Sequence, residues 1–301
     1  MNIKKLLLLL PLGIFAATDG LPFMTGYAGY QLTTSVASMG RGGAGVATAD
    51  DGAYSHMNPA GIYNSESDRF YLSHSNLFRE SRSEFLNASL KYKQPVGISL
   101  FYRFLGEAPH LTDGANYDEN NIYSAYDAAL TLTSGYKFSK MDIGYSLKVM
   151  HSEIGYYGST AVAADFGVIC KTAITGLDAG VSVLNLGYAT AYEKTAIPLT
   201  VVMRAGTAYS RKLENGLKLR LLTDIQAASN GTFSIPAGIE AGSRWLTLRG
   251  GWNILHDTQT FSAGLSIKLS SIQFDYTYAN FTENLSDNSI PQLFSLSVFL
   301  N

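Results

Sequence analysis

Gly40, Gly42 and Gly45 satisfy the spacing G-x-G-x-x-G, which in other proteins cradles the phosphates of a dinucleotide. That chemistry needs a strand before the glycines, a helix after them and an acidic residue about 20 positions further on, all within one βαβ unit. The surrounding chain supplies no βαβ unit. We therefore expect no nucleotide site here, and we expect the glycines to let a compact backbone segment turn and pack tightly.

Other residue types that could do chemistry fall into no recognisable arrangement. The histidines lack metal-ligand spacing, the single Cys170 cannot build a thiolate cluster, and no G-x-S-x-G nucleophile elbow occurs. The histidines are His56, His74, His110, His151 and His256. The sequence thus predicts no catalytic residue, no metal site and no cofactor, and we expect the chain not to be an enzyme.

Composition narrows the class of protein. Of 301 residues, 46% are hydrophobic and 15% are charged, against about 25% charged residues in a typical soluble domain. The chain holds 19 Tyr, 15 Phe and 29 Gly, which is too apolar and too aromatic for disorder. A net charge of −2 argues against a nucleic-acid partner, since such proteins need a basic surface.

The N-terminus has the pattern of a secretory signal peptide. Lys4 and Lys5 precede an apolar run of about ten residues, and Ala16, Ala17 and Thr18 supply small residues for cleavage. The run is too short to span a membrane as an anchor. We predict that residues 1–18 are the signal peptide and exclude them from the fold.

Strand-like alternation runs through most of the remaining chain. Between positions 141 and 150, for example, Ile143, Tyr145 and Leu147 alternate with Gly144 and Ser146. We find 14 such segments, most of about ten residues, which is the length of a strand tilted across a bilayer. A soluble antiparallel sandwich also alternates, but its strands are usually shorter, about 5–6 residues.

Charged residues recur on one face of these segments, interleaved with Gly, Ser and Thr, while the other face is apolar and repeatedly ends in an aromatic residue. This arrangement is typical of a barrel with a polar lumen and interfacial aromatic girdles. The charged residues predicted to face the lumen are Asp142, Lys148, Asp165, Lys171, Asp178, Arg204, Lys218, Arg220, Asp224, Arg249, Lys268 and Asp275. They could form a substrate path or hold the barrel together, because intramembrane charges normally pair.

The connections between the segments alternate in length. Short ones such as 139–140 and 270 alternate with mostly longer ones, of which 106–125 is the longest and is polar. That asymmetry is typical of bacterial outer-membrane barrels and places both chain ends on the periplasmic side. We therefore predict an all-β, 14-stranded antiparallel transmembrane barrel over residues 67–301, monomeric and surrounded by outer-membrane lipid, because closure leaves no unpaired strand edge.

The segment before the first strand is Gly-rich and does not alternate. It resembles the N-terminal hatch signature of the FadL-type (OMPP1/FadL/TodX) outer-membrane superfamily: a Met-Gly-x-Gly-Gly run, an Asp-Asp pair and an Asn-Pro-Ala-Gly run. The matching residues are Met39, Gly40, Gly42, Gly43, Asp50, Asp51, Asn58, Pro59, Ala60 and Gly61. The resemblance implies a 14-stranded barrel with residues 19–66 as a hatch, or plug, in the lumen.

Later motifs are similar to those of the PorV/PorQ branch of that superfamily. They are Asp165-Phe166-Gly167, Val183-Leu184-Asn185-Leu186-Gly187, Ile197-Pro198-Leu199-Thr200 and Arg204-Ala205-Gly206-Thr207-Ala208-Tyr209. This branch implies a role in protein export or surface presentation, as in type IX secretion, with exported proteins or secretion components as partners. The broader superfamily implies uptake of hydrophobic small molecules, and a structural barrel without transport is the third alternative.

Overall fold

The computed structural model describes residues 34–65, 67–78, 81–111, 117–192, 194–214, 216–254, 259–281 and 291–300. The predicted signal peptide lies outside these residues. Almost all of the described chain is β-structure. Before the strands come one short α-helix, Val36–Met39, and two 3₁₀ helices, Tyr54–His56 and Pro59–Asn64. In the described part of the chain, no helix is both long and apolar enough to cross a membrane.

Sixteen strands follow within the described residues. They are β1 Asp68–Phe78, β2 Ser81–Leu90, β3 Val96–Leu111, β4 Tyr117–Phe138, β5 Met141–Ile154, β6 Tyr157–Lys171, β7 Leu177–Ala189, β8 Ala191–Tyr192, β9 Thr195–Ala196, β10 Val202–Lys212, β11 Lys218–Ala228, β12 Phe233–Gly242, β13 Leu246–Ile254, β14 Gln259–Leu269, β15 Ile272–Phe281 and β16 Gln292–Leu300.

Fourteen of these strands form one closed antiparallel barrel in which each pairs with its sequence neighbours. The barrel closes where β1 pairs with β16, with Asp68 opposite Leu300 and Asn76 opposite Gln292. The short strands β8 and β9 pair only with each other and form a separate hairpin between β7 and β10. The predicted strand number and closure are therefore confirmed.

The two ends of the barrel differ. One end, which we call the turn end, carries the start of β1, the end of β16 and short connections such as 139–140 and 270–271. The other, the loop end, carries the connection that contains the β8–β9 hairpin, the end of β13 and the start of β14. The predicted loop 106–125 is wrong in extent. Strand β3 runs to Leu111 and β4 begins at Tyr117, so most of that segment is paired backbone.

Side chains alternate between lumen and outer surface along each strand, as the pleat of a β-strand requires. In β5, Leu147 is 65% exposed and the next residue, Lys148, is 5% exposed. Strand β7 changes phase once, at Asn185, whose φ of 64° lies in the left-handed region. The register between β6 and β7 shifts at the same level, between Ala164 and Phe166, so this irregularity is a β-bulge.

Candidate functional site

The lumen is the candidate site, because the chain before β1 packs against inward-facing residues of the barrel. We call residues 34–65 the N-terminal segment. Its helix Val36–Met39 begins at Ser35, whose Oγ accepts a hydrogen bond from the Ser38 amide at 3.0 Å. Its second 3₁₀ helix begins with Asn58, which accepts from the Ala60 amide at 3.0 Å, and with Pro59 at the first helical position. The Asn-Pro motif is thus a capped helix start.

Hydrogen bonds tie the N-terminal segment to widely separated strands. The Asn58 amide group donates to the carbonyl oxygens of Val168 in β6 and Val181 in β7, both at 3.2 Å. Two strands further along the barrel, in β11, one carboxylate oxygen of Asp224 accepts from the backbone amides of Gly45 at 2.7 Å and Val46 at 2.9 Å. Across the lumen, Thr277 in β15 donates to the carbonyl oxygen of Val36 at 2.8 Å. These bonds give the buried polar groups partners inside the protein, as burial requires.

Inward-facing glycines in five strands make room for the N-terminal segment. We call them the glycine ring: Gly144 in β5, Gly167 in β6, Gly180 in β7, Gly238 in β12 and Gly251 in β13. A β-carbon at any of them would overlap atoms of the segment, which at Gly144 belong to the backbone of Pro59 and Ala60. The strands therefore carry glycine where backbone or, at Gly167, side-chain atoms of the N-terminal segment approach closely.

The two aspartates of the hatch motif have different surroundings. Asp50 accepts from the guanidinium groups of Arg41 at 3.0 Å and Arg220 at 2.5 Å. Burial opposes its ionisation, yet these two cations hold the pKa of its carboxyl well below the ordinary value. Asp51 accepts from Ser35 Oγ at 2.6 Å and from the Ala53 amide at 3.0 Å, and burial raises the pKa of its carboxyl.

A chain of ion pairs continues from Asp50 along one side of the lumen. We call it the charged wall, and it consists of Arg41, Asp50, Arg220, Glu240, Arg249 and Asp275. Glu240 lies at its centre, 3.4 Å from Arg41, 3.3 Å from Arg220 and 2.9 Å from Arg249. Arg249 then reaches Asp275 at 3.2 Å. The wall joins the N-terminal segment to four strands by alternating charges, which offsets the cost of burying each one.

A second ion pair lies inside the barrel on β5 and β6. Lys148 Nζ is 2.8 Å from Asp165 Oδ2 and 3.1 Å from Asn185 Oδ1. The other carboxylate oxygen of Asp165 accepts from the backbone amide of Asn185 at 2.7 Å, so the pair also holds the bulge of β7. Both charged side chains are almost fully buried, and each has the partner that a buried charge needs.

The remaining predicted residues lie in several places. Asp142 pairs with Lys137 at 3.2 Å, and the buried guanidinium of Arg204 contacts Met57 Sδ. Lys171, Lys218 and Lys268 are exposed near the turn end, where Asp178 is half-buried. In the hatch motif, Gly43 and Asp50 are half-buried and Met39, Gly40, Gly42, Asp51, Asn58, Pro59, Ala60 and Gly61 are buried. That this segment acts as a hatch, and that the charges line a substrate path, stay predictions.

The opposite side of the lumen also carries an apolar cluster, beside buried polar residues such as Arg103 and Asp127. Inward side chains of β1–β7 form a cluster that we call the apolar wall: Tyr71, Phe85, Phe101, Ala129, Met150, Ala161, Ala163 and Ala189. Ala53 of the N-terminal segment packs against it, and so does Leu199, which lies between β9 and β10. The apolar wall is therefore covered by the N-terminal segment and by a connection from the loop end.

The sequence analysis did not identify some of the charged residues and most of the apolar residues that face the lumen. Arg41 and Glu240 were not among the predicted charges, although Glu240 alternates with Ile239 and Ala241 as the others do. Inward aromatic residues such as Phe101 were missed because the run 100–102 is apolar on both faces, which hides its period of two. The interruption of alternation at Leu222 was a usable signal, because Leu222 faces inward and packs against Ala44 and Ala47.

His56 connects the apolar wall with the buried cations. Its ring lies 4.9 Å from the Phe85 ring and 5.3 Å from the Phe101 ring, between centroids. Burial lowers its pKa well below the ordinary value, and the charges of Lys148, Arg103 and Arg204 lower the pKa further. Across the described residues, no group of His, Cys, Asp and Glu is arranged to hold a metal ion.

Because the pKa of His56 is lowered, we expect the free energy of unfolding to fall as the pH falls. The folded state keeps this histidine neutral, so the contribution is complete above the unfolded-state pKa of about 6.5 and is lost as pH falls below it. Between pH 8 and pH 5, the free energy of unfolding in urea should drop by about 2 kcal/mol, and His56→Phe should remove that drop. The same drop in His56→Phe would contradict this, and His74→Gln, at a half-exposed histidine, is the control.

Comparisons with known proteins agree with the barrel. No protein-family model and no curated protein matches the chain. Among solved structures, the CymD monoaromatic hydrocarbon channel is similar with a TM-score of 0.61, at 12% sequence identity over 88% of this chain and 97% of that one. The P. putida toluene transporter TodX gives 0.54 at 11% identity, and a Pseudomonas aeruginosa FadL homologue gives 0.51 at 12%, each covering 88% of this chain and 98% of the other.

These similarities define a class of fold. The chain has a closed 14-stranded barrel and shares its fold with these three solved structures, and motif residues of the N-terminal segment such as Asn58 and Pro59 lie against the inside of its strands. Identities near 12% do not extend this to a substrate or a partner. The finer assignment to the PorV/PorQ branch stays a prediction.

Proposed function

We propose that this chain is a bacterial outer-membrane channel for hydrophobic small molecules and that substrate moves along the apolar wall. The observation that carries the proposal is the apolar wall itself. The interior of a membrane barrel is ordinarily polar, yet here Phe85, Phe101 and Met150 face inward and are buried. An apolar solute gains free energy by leaving water for such a surface, whereas ions and sugars do not.

The charged wall supports the same function in a different role. Its charges pair with one another and with the N-terminal segment, so they hold that segment in place and leave the apolar side for the solute. Ala53 and Leu199 cover the apolar wall from the two ends of the barrel. Passage along the wall from one end to the other therefore requires both covers to move, which makes the channel gated.

The solved structures suggest which solute to test first. CymD is described as a monoaromatic hydrocarbon channel and TodX as a toluene transporter. Toluene is a suitable probe because it is apolar and small, and aromatic rings pack well against other aromatic rings such as those of Phe85 and Phe101. Among the described residues, no contact favours protein export, which is the activity implied by the PorV/PorQ resemblance.

Blocking the apolar wall should stop uptake. Ala163 faces the lumen in β6 and Val162 faces outward, so Ala163→Phe places a phenyl ring in the proposed path and Val162→Phe places one in lipid. We expect Ala163→Phe to lower toluene accumulation about tenfold or more in Gram-negative cells that have no other such channel, and Val162→Phe to leave it unchanged.

Toluene accumulation is compared between cells that contain equal amounts of folded native or variant protein. Gel electrophoresis measures the folded fraction, because unfolded barrels migrate more slowly than folded ones. Equal toluene uptake by cells with and without the native protein would overturn the proposal. Co-purification of exported proteins with such a barrel would instead support the export alternative. Unchanged uptake by a folded Ala163→Phe variant would exclude the apolar wall as the path.

A further inference from the structure

The turn end of the barrel exposes an unusual number of basic side chains. Within the described residues, these are Lys91, Lys93, Lys137, Lys140, Lys171, Arg211, Lys212, Lys218, Arg244 and Lys268. The acidic residues at the same end are Asp68, Asp142, Asp178 and Glu214. The whole chain has a net charge of −2, so the positive charge is gathered at one end rather than spread over the surface.

The loop end has the opposite composition. Its described exposed basic residues are Arg82 and Lys194. The strand segments near that end carry the acidic residues Glu84, Glu107, Asp118, Glu119 and Glu153. The two ends therefore face partners of different charge, and an anionic partner belongs at the turn end.

Internal pairing accounts for only a few of the basic residues. Lys137 pairs with Asp142 at 3.2 Å, and Lys268 Nζ lies 4.5 Å from the centroid of the Phe299 ring. In the part of the chain that the structure describes, Lys93, Lys140, Arg211 and Arg244 take part in no ion pair. We call these four residues the basic rim.

Two further lysines at the turn end, Lys212 on β10 and Lys218 on β11, lie directly opposite each other. Like charges in this position repel each other.

The neighbours of the basic rim set its depth in a bilayer. Tyr92 precedes Lys93, Trp245 follows Arg244, and Phe138 comes two residues before Lys140. These three aromatic side chains are between 57% and 69% exposed, which suits the amphipathic belt that lies among lipid headgroups. Basic side chains beside that belt lie at the level of the lipid phosphates.

We infer that the basic rim binds the phosphates of anionic phospholipids in the leaflet at the turn end. This inference rests on the proposed location of the barrel in a membrane, though not on the proposed substrate. It follows from three features of the structure: basic residues gathered at one end, the lack of ion pairs for the rim, and the exposed aromatics that place the rim among headgroups. An acidic protein would explain the charge but not the adjoining aromatic belt.

Lipid binding to the purified full-length protein tests the inference. Native mass spectrometry in a neutral detergent gives the affinities for phosphatidylglycerol and for phosphatidylcholine of the same acyl chains. We expect the native protein to prefer phosphatidylglycerol about tenfold or more, because several basic groups act together. The variant with Lys93→Gln, Lys140→Gln, Arg211→Gln and Arg244→Gln should bind the two lipids equally well.

Three controls distinguish lipid binding at the basic rim from binding elsewhere on the barrel and from a site for soluble anions. A variant with Arg82→Gln and Lys194→Gln, at the loop end, should keep the preference. In the native protein, 0.5 M salt should abolish the preference, and this measurement holds even if the fourfold variant fails to fold. Displacement of the lipid by 10 mM inorganic phosphate would show a site for soluble anions and overturn the assignment to lipid. Equal affinity of the native protein for both lipids at low salt would also overturn it.

Discussion

Replacing Gly251 by valine should displace the N-terminal segment from the lumen, whereas the same replacement at Gly250 should leave it in place. A β-carbon on Gly251 would overlap the backbone atoms of Arg41 and Gly42, which cannot move aside as a flexible side chain could. Gly250 is the preceding residue of β13 and points outward, and the nearest atom to its β-carbon would be Ile239 Cγ2 at 3.8 Å. The two variants add the same side chain to the same strand, so they differ only in the face that receives it.

Trypsin offers a direct measurement, because Arg41 is 1% exposed in the native protein. Cleavage after Arg41 in the folded barrel should be at least about tenfold faster in Gly251→Val than in the native protein or in Gly250→Val. Single-channel conductance in planar bilayers should rise in the same variant, since the lumen loses the segment that fills it. Protection of Arg41 in a folded Gly251→Val barrel would show that the strand, rather than the segment, adjusts.

Removing one partner of the Lys148–Asp165 pair should destabilise the barrel strongly. The two side chains are 3% and 0% exposed, so either charge left alone would be buried without compensation. Lys148→Met and Asp165→Asn should each cost about 3–5 kcal/mol of unfolding free energy in urea. The double variant should cost less unfolding free energy than the sum of the two single variants by about 1–3 kcal/mol, because removing both charges leaves neither one buried without a partner.

A pair of the same charges at the turn end serves as the control. Lys137 and Asp142 are 3.2 Å apart, but Lys137 is 54% exposed, and water screens the interaction. Lys137→Met should therefore lower the free energy of unfolding by less than about 1 kcal/mol. Strict additivity of Lys148→Met and Asp165→Asn would mean that the buried pair contributes no coupling and that each group is held by its other contacts.

The strands were predictable because their signal is local. Leu147 and Lys148 differ in polarity, and a period of two assigns them to opposite faces without any knowledge of the neighbouring strands. The residues at which β3 ends and β4 begins were not predictable in the same way. The polar segment around Asp113 has the composition of a loop, yet pairing of the two strands continues through Pro109 and Ile122. Backbone pairing in a long hairpin does not depend on apolar side chains, so composition alone cannot show where it stops.

The interior was only partly predictable. The hatch motif identified Asp50 and Asn58 as residues of interest, but nothing in the sequence links Asn58 to Val168 and Val181, which lie more than a hundred residues away. A glycine such as Gly180 within a strand indicates a bulge or a close approach of another backbone without saying which one. The apolar wall escaped notice because it reverses the usual rule that the inside of a membrane barrel is polar.

The pairing of β1 with β16 has a consequence for the order in which the molecule assembles. The first and last strands meet at the closing seam, so the final step of folding must wait for the C-terminal residues of the chain. The N-terminal segment contacts strands on both sides of the lumen, such as β6 through Asn58 and β15 through Val36, and leads directly into β1. We expect it to lie within the curling sheet before the seam closes. The seam would then enclose a segment that had offered a surface on which the sheet could curve.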